Sequence, residues 1–385
     1  MCSILSGAGS KAAKAFKNLY DMWFDTKGNK IEYLKTLENE GVDLPIMSSI
    51  LRGAGSKAGK AFKDLYDLWF DAKGNKTHCV QILEKEGMNL INISSILYGS
   101  AANTTKAFKD LYDLWFDTKG NKTLYLKTLE DEGINLHNVS SIFHGAGSKA
   151  GKEFKNLYYL WFDQKGNKTQ FLKILDYEGV NLVNISSILD GAGSKAAKAF
   201  KDLLDIWFDK QGNKTQHLKH FINEKDRKRS FTLLNFSSIF NGAGANVRDA
   251  FERLHNVCFN DEGERTELLD DLYRVGFRPR HLSLVLCGKG ARACSTLKKL
   301  YSICFNGEGV RTELLDDMYR IGFRPRHLSR VLCGAGACAY STLRKLHSVC
   351  SDDEEKRIQI LHDFFQAGLR PSDLSNTLGA AIELS

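Results

Sequence analysis

Nine positions in this chain change their side-chain chemistry while the residues around them repeat. Ser6, Arg52, Tyr98, His144, Asp190, Asn241, Cys287, Cys333 and Gly379 hold the same place in successive copies of one segment. The glycine after the variable residue falls at 7, 53, 99, 145, 191, 242, 288 and 334, a 46-residue period with one five-residue insertion. An array that keeps its frame and varies one residue per unit suits reading another linear array. The variable set offers donors, acceptors and small groups, as readout of base edges requires. Arg52 is expected to select G through O6 and N7, Asp190 to select C through N4, and Asn241 to favour A. Ser6, Cys287, Cys333 and Gly379 are small enough to accept a thymine methyl. Tyr98 and His144 are expected to make less regular contacts. A good bidentate pair contributes roughly 1–3 kcal/mol of discrimination.

Around these residues lie glycines and lysines. Gly7 and Gly9, Gly53 and Gly55, Gly145 and Gly147, and Gly191 and Gly193 strip side-chain bulk from the loop, so backbone can approach a partner. A helix starting just after the loop would present free N–H groups to an anion. Lysines cluster on the same stretch: Lys11, Lys14, Lys57, Lys60, Lys106, Lys149, Lys152, Lys195 and Lys198. Asn103 replaces the first lysine of the third repeat. These lysines are expected to hold phosphates without adding specificity. If ~8 repeats each neutralise one phosphate, log affinity should fall against log salt with a slope of about −7.

The elements that position these residues can be read from the second repeat. Asp43-Leu44-Pro45 opens a short helix, since proline suits the first turn. Ile46, Met47, Ile50 and Leu51 give its apolar face, and Gly53-Ala54-Gly55 ends it. Ser56 is expected to cap a second helix running to about Phe70, with Ala58, Phe62, Leu65 and Trp69 at helical spacing. Lys73-Gly74-Asn75 makes a turn, Asn75 or Thr77 caps a third helix, and Gly87 ends it. Nothing resembles a strand. Helices this short cannot bury their apolar stripes alone. The expectation is an all-α fold, an α-solenoid (superhelix) of about eight repeats with three short helices each.

The whole chain, residues 1–385, is expected to be one continuous helical-repeat array. Residues 1–220 are close copies with KGNK or QGNK turns. Residues 221–236 carry a basic insertion around Asn223–Phe231, expected to enlarge one loop without breaking the stack. Residues 237–385 form a divergent class, marked by Phe277-Arg278-Pro279-Arg280-His281 and its copy from Phe323.

The net charge of +8 is moderate, so any basic surface must come from where the lysines sit. Cys258, Cys304 and Cys350 take the place of Trp23, Trp69, Trp115, Trp161 and Trp207 in the repeat, and are expected to be core residues. No CxxC and no histidine pair at zinc-finger spacing occurs, so neither metal nor cofactor is expected. A reduced, intracellular setting follows. Sequons such as Asn75-Lys76-Thr77 and Asn92-Ile93-Ser94 read as repeat consensus. No stretch reaches the roughly 18 apolar residues of a membrane span, and no signal peptide is visible. The chain opens and stops inside a repeat, which suggests a fragment.

The stretch Gly276-Phe277…His281-Leu282…Val285-Leu286-Cys287-Gly288-Lys289-Gly290, with its copy from Gly322 to Gly336, resembles the transcription-activator-like effectors and their bacterial relatives. The resemblance covers about half of each repeat. It implies a right-handed superhelix in the DNA major groove, one repeat per base pair, with each loop facing a base. It also implies a chain that binds double-stranded DNA as a monomer, with no membrane and no small-molecule substrate. The compartment would be a host-cell nucleus for a secreted effector, and otherwise the bacterial cytoplasm and nucleoid. One variable residue beside a mostly constant alanine leaves open which of the two approaches the base.

Other functions are weighed against this one. A protein-binding scaffold of HEAT or armadillo type has a similar period. It would gain ground if the second variable column at the start of the third helix (Ile31-Glu32-Tyr33, Thr77-His78-Cys79, Thr123-Leu124-Tyr125) were a contact surface. Single-stranded RNA recognition needs stacking side chains, and only Tyr98 and His144 among the variable residues supply them. Enzyme activity is not expected: no nucleophile–base set or phosphate loop stands outside the repeat. The repeated Asp64, Asp67 and Glu84 read as solvated helix faces with local ion pairs.

Overall fold

The computed structural model describes residues 3–320 except 223–225 and 227, residues 324–332, and residues 355, 356, 359, 362 and 363. Each repeat holds a long, a middle and a short helix. In the second repeat these are Ala58–Trp69, His78–Lys85 and Leu90–Leu97. Among the described residues the only β pairing is isolated bridges, such as Phe70 with Lys76, which close the turn after each long helix. The fold is an all-α solenoid, as its sequence pattern requires.

Contacts divide the chain into two units, Met1–Leu204 and Asp205–Ser385. In the first, the long helices Ala12–Trp23, Ala58–Trp69, Thr104–Trp115 and Ala150–Trp161 stack in order. The short helices Leu44–Ile50, Leu90–Leu97, Leu136–Ile142 and Leu182–Ile188 stack in a parallel series. In the second unit Val247–Cys258 packs on Ala293–Cys304, and Leu233–Ile239, Pro279–Leu286 and Pro325–Leu332 stack in turn.

The core lies between repeats. Four long-helix tryptophans pack edge-on against a phenylalanine one repeat ahead: Trp23 on Phe62 at 5.7 Å, Trp69 on Phe108 at 6.4 Å, Trp115 on Phe154 at 6.0 Å, and Trp161 on Phe200 at 6.0 Å. The indole N–H groups of all five tryptophans find no hydrogen-bond partner. The position therefore asks only for apolar volume, which is why Cys258 and Cys304 can take it as buried thiols. Burial pushes the Cys304 thiol up to about 12, so it stays protonated and unreactive. Cys350 lies outside the described residues.

Helix ends follow local chemistry. Asp43 accepts from the Ile46 N–H at 2.9 Å, and Asn89 with Asn92 forms a reciprocal capping box. Asn75 donates to Asp71 at 3.1 Å, while the Thr77 hydroxyl donates back to the Leu68 carbonyl at 2.7 Å. Both sequon asparagines thus use their carboxamides inside the repeat. The expected Asn75 or Thr77 cap is replaced by this turn, although Thr169 in a later copy does accept from the Leu172 N–H.

In the divergent class Arg278 donates to the Tyr273 and Phe277 carbonyls at 3.1 and 2.7 Å, closing the preceding helix before Pro279 opens the next. At the basic insertion the Phe231 N–H donates to the Phe221 carbonyl at 3.0 Å. Arg229 lies over the Tyr273 ring, 5.7 Å from its centre.

Candidate nucleic-acid interface

The variable residue sits at the corner of a type II β-turn. Tyr98 has φ −54° and ψ 128°, Gly99 follows at φ +75°, and the Ser100 N–H closes on the Leu97 carbonyl at 3.0 Å. Cys287 has φ −55° and ψ 129°, with Gly288 at φ +66° and the same closure from Lys289 to Leu286 at 3.0 Å. The closing bond recurs from Ala54 to Leu51, Ala146 to Phe143, Ala192 to Leu189 and Ala243 to Phe240. A type II turn needs positive φ at its third residue, hence the fixed glycine, and leaves the second residue free in type. The turn itself explains why one position varies and the next does not.

Ser6, Arg52, His144, Asp190, Asn241 and Cys287 are exposed, and Tyr98 is half-buried. Ala54, Ala146, Ala192 and Ala243 are buried beneath the turns. The variable residue is therefore the one within reach of a partner, and its alanine neighbour is not. Cys333 and Gly379 lie outside the described residues. Burial, followed by the charge of Asp43, raises the Tyr98 phenol.

The two glycines of each loop differ. A side chain at Gly7, Gly53, Gly145 or Gly191 would meet nothing within 4 Å. The second glycine faces the preceding turn instead. A Cβ at Gly147 would lie 2.9 Å from the Tyr98 carbonyl oxygen, and one at Gly193 would lie 2.7 Å from that of His144. Gly55 lies against the backbone of Ser6, Gly7 and Ala8. Gly9, in the first loop, has open space. In the later loops the first glycine thus has open space around it, while the second admits the neighbouring repeat. Backbone bonds lock the stack, with Gly53, Gly99, Gly145 and Gly191 donating to Ser3, Ser49, Ser95 and Ser141 at 2.8–2.9 Å.

After the turn the chain makes one 3-10 turn, Gly55–Lys57, before the long helix. Ser56 does not cap that helix: Lys57 holds the cap position without a side-chain bond. The N–H groups of Lys57 and Ala58 already donate to Ala54 and Gly55. The expected row of free N–H groups is shortened because the 3-10 turn consumes them. Attraction for an anion falls to the ammonium groups.

Lys11, Lys57, Lys149 and Lys195 end the 3-10 turns, and Lys14, Lys60, Lys106, Lys152 and Lys198 follow one turn later, all exposed. Lys106 and Lys198 are paired with Asp110 and Asp202 on the same helix. A third exposed column, Lys17, Lys63, Lys109, Lys155 and Lys201, continues the series. Its signal was the lysine recurring every third residue in the first, second, fourth and fifth repeats, and at Lys106 and Lys109 in the third.

The second variable column is occupied by packing between repeats. Tyr33 meets Tyr66 edge-on at 4.6 Å, Tyr125 meets Tyr158 at 4.6 Å, and His217 meets His255 at 4.5 Å. Cys79 hydrogen-bonds Tyr112, whose phenol is pushed up to about 12 by burial first and that contact next. Tyr33, Cys79 and Tyr125 are half-buried against these neighbours, while Glu32, His78 and Leu124 beside them, and His217, are exposed, so the column is packed on one side and open on the other.

His217 and His220 of the middle helix Gln216–Phe221 meet His255 of the long helix Val247–Cys258. His220 Nδ1 and His255 Nε2 lie 3.0 Å apart, and His255 is buried. Burial drives the His255 imidazole down to about 4. Among the described residues no group of three or more His, Cys, Asp or Glu is arranged to hold a metal ion, and no helix is long and apolar enough to cross a membrane.

The fold and turns define a class: a helical-repeat array presenting one variable turn per unit. No protein-family model matches the chain, and a search of curated proteins finds no match.

Proposed function

We propose that this chain binds double-stranded DNA sequence-specifically in the major groove, one repeat per base pair, with the residue at each type II turn facing a base. The observation carrying this reading is a continuous row of variable residues within each of the two units, exposed except for the half-buried Tyr98, each at an equivalent turn in contact with the next. Successive turns touch backbone to backbone, and the ring centres of Tyr98 and His144 lie 5.3 Å apart. Packed helices stand about 8–10 Å apart, whereas stacked bases rise about 3.4 Å. Contact between successive turns keeps the variable residues closer than helix packing alone would require, as reading of stacked bases needs. Exposed lysines after the turns of Ser6, Arg52, Tyr98, His144 and Asp190 supply charge for phosphates, and the likeness to transcription-activator-like effectors points the same way.

Arg52 is assigned to G, Asp190 to C and Asn241 to A. Selection of a randomised duplex library by the full chain, at two salt concentrations, tests this. The expected result is one contiguous motif with G and C three steps apart for Arg52 and Asp190. Arg52→Asp should then move preference at one base pair only. Binding without a motif would leave a basic solenoid that clamps any duplex, and no binding at low salt would reject DNA as the partner.

A further inference from the structure

Tyr98 and His144 are neighbours in the column of variable residues, and their rings are in contact. The ring centres lie 5.3 Å apart with the planes at 80°, an edge-to-face arrangement. The backbone beneath them is equally tight. The Gly145 N–H donates to the Ser95 carbonyl at 2.8 Å, and Gly147 leaves no room for a Cβ beside the Tyr98 carbonyl. Tyr98 is half-buried while His144 is exposed. Neither turn can shift to suit its base without moving the ring of the other.

We propose that Tyr98 and His144 read two adjacent base pairs jointly, as one dinucleotide. This rests on the DNA-reading proposal above. The physical reason is that aromatic contacts are directional. A ring rotated to meet one base edge loses its edge-to-face partner, so the free energy at one step depends on the base at the next. His144 adds a second constraint, because its two ring nitrogens are distinct hydrogen-bonding positions. The ring orientation that Tyr98 imposes decides which of the two faces the groove. The array is then modular at its other turns and dinucleotide-specific here.

The test uses the full chain as wild type, Tyr98→Ser, His144→Ser, the double variant and Arg52→Ser. Serine already stands at this turn position as Ser6, so the fold accepts it, and thermal melts verify this. Library selection by the wild type should show interdependent preferences at the two steps. His144→Ser should alter preference at its own step and at that of Tyr98, while Arg52→Ser should alter one step alone. Affinities for the preferred duplex should depart from multiplicativity in the double variant by at least threefold. Single-step changes with multiplicative losses would overturn the pairing while leaving base reading intact. A wild-type chain that selects no motif would overturn base reading itself, and the pairing with it.

Discussion

The ammonium of Lys122 lies 2.6 Å from the carboxylate of Glu86, one repeat earlier, and 2.8 Å from Glu130 in its own repeat. Lys76 joins Glu40 to Glu84, and Lys168 joins Glu132 to Asp176, in the same way. A half-shielded ionic ladder thus ties neighbouring middle helices. Glu130 and then Glu86 raise the Lys122 ammonium, so it stays charged. Lys122→Met should destabilise the chain by about 1 kcal/mol, more at low salt than at high salt. Denaturant titrations at the two salt concentrations check this; an equal loss at both would remove the electrostatic explanation.

Ala101 has φ +55° at a place where neighbouring repeats have glycine. A left-handed backbone costs a residue with a Cβ about 1–2 kcal/mol, partly offset by the greater chain entropy of glycine. Ala101→Gly should therefore stabilise the protein by about 0.5–1 kcal/mol. A thermal melt with an unchanged or lowered midpoint would contradict this.

Gly145 and Gly147 separate two roles within one loop. Both have positive φ, but only a Cβ at Gly147 would strike the Tyr98 carbonyl, at 2.9 Å. Gly145→Ala should cost about 1–2 kcal/mol from strain alone. Gly147→Ala should cost more, because the backbone of the neighbouring turn must move. Equilibrium unfolding of the two variants should keep that order.

The histidine cluster makes stability depend on pH. Burial lowers His255 to about 4, outweighing the hydrogen bond with Asn256 that favours its charged form, and His217 and His220 further oppose charging. The His220–His255 contact also needs one ring nitrogen without a proton. The folded state holds His255 neutral, while the unfolded chain takes up a proton near pH 6.5. Stability is therefore full above about pH 6.5 and falls until about pH 4, by on the order of 1–2 kcal/mol after solvent screening. His255→Leu, the residue type at Leu204 one repeat earlier, should flatten that slope. Unfolding curves across this range test it.

The period, the three helices, the tryptophan column and the varying position were legible in the sequence, because each rests on local chemistry repeated in register. Glycine after the variable residue announced the end of the short helix, and Asp43-Leu44-Pro45 announced a helix start. Ser56 misled, since a hydroxyl before a helix is a common cap, and the 3-10 turn that displaces it depends on how the loop folds back. The packing role of the second glycine was hidden for a related reason. Its need for space comes from a turn 46 residues away, and a sequence does not state what lies beside it.

The same division separates the two variable columns. By sequence alone both changed from repeat to repeat, and either could have faced a partner. Only the packing between repeats decided that Tyr33, Cys79 and Tyr125 lie half-buried against the next long helix, while Arg52, His144, Asp190 and Asn241 stand exposed at their turns. Periodicity determines which residues are equivalent, because helix and turn propensities act over a few residues. Exposure is settled by the contact each equivalent position makes across the repeat boundary, which only the assembled stack contains.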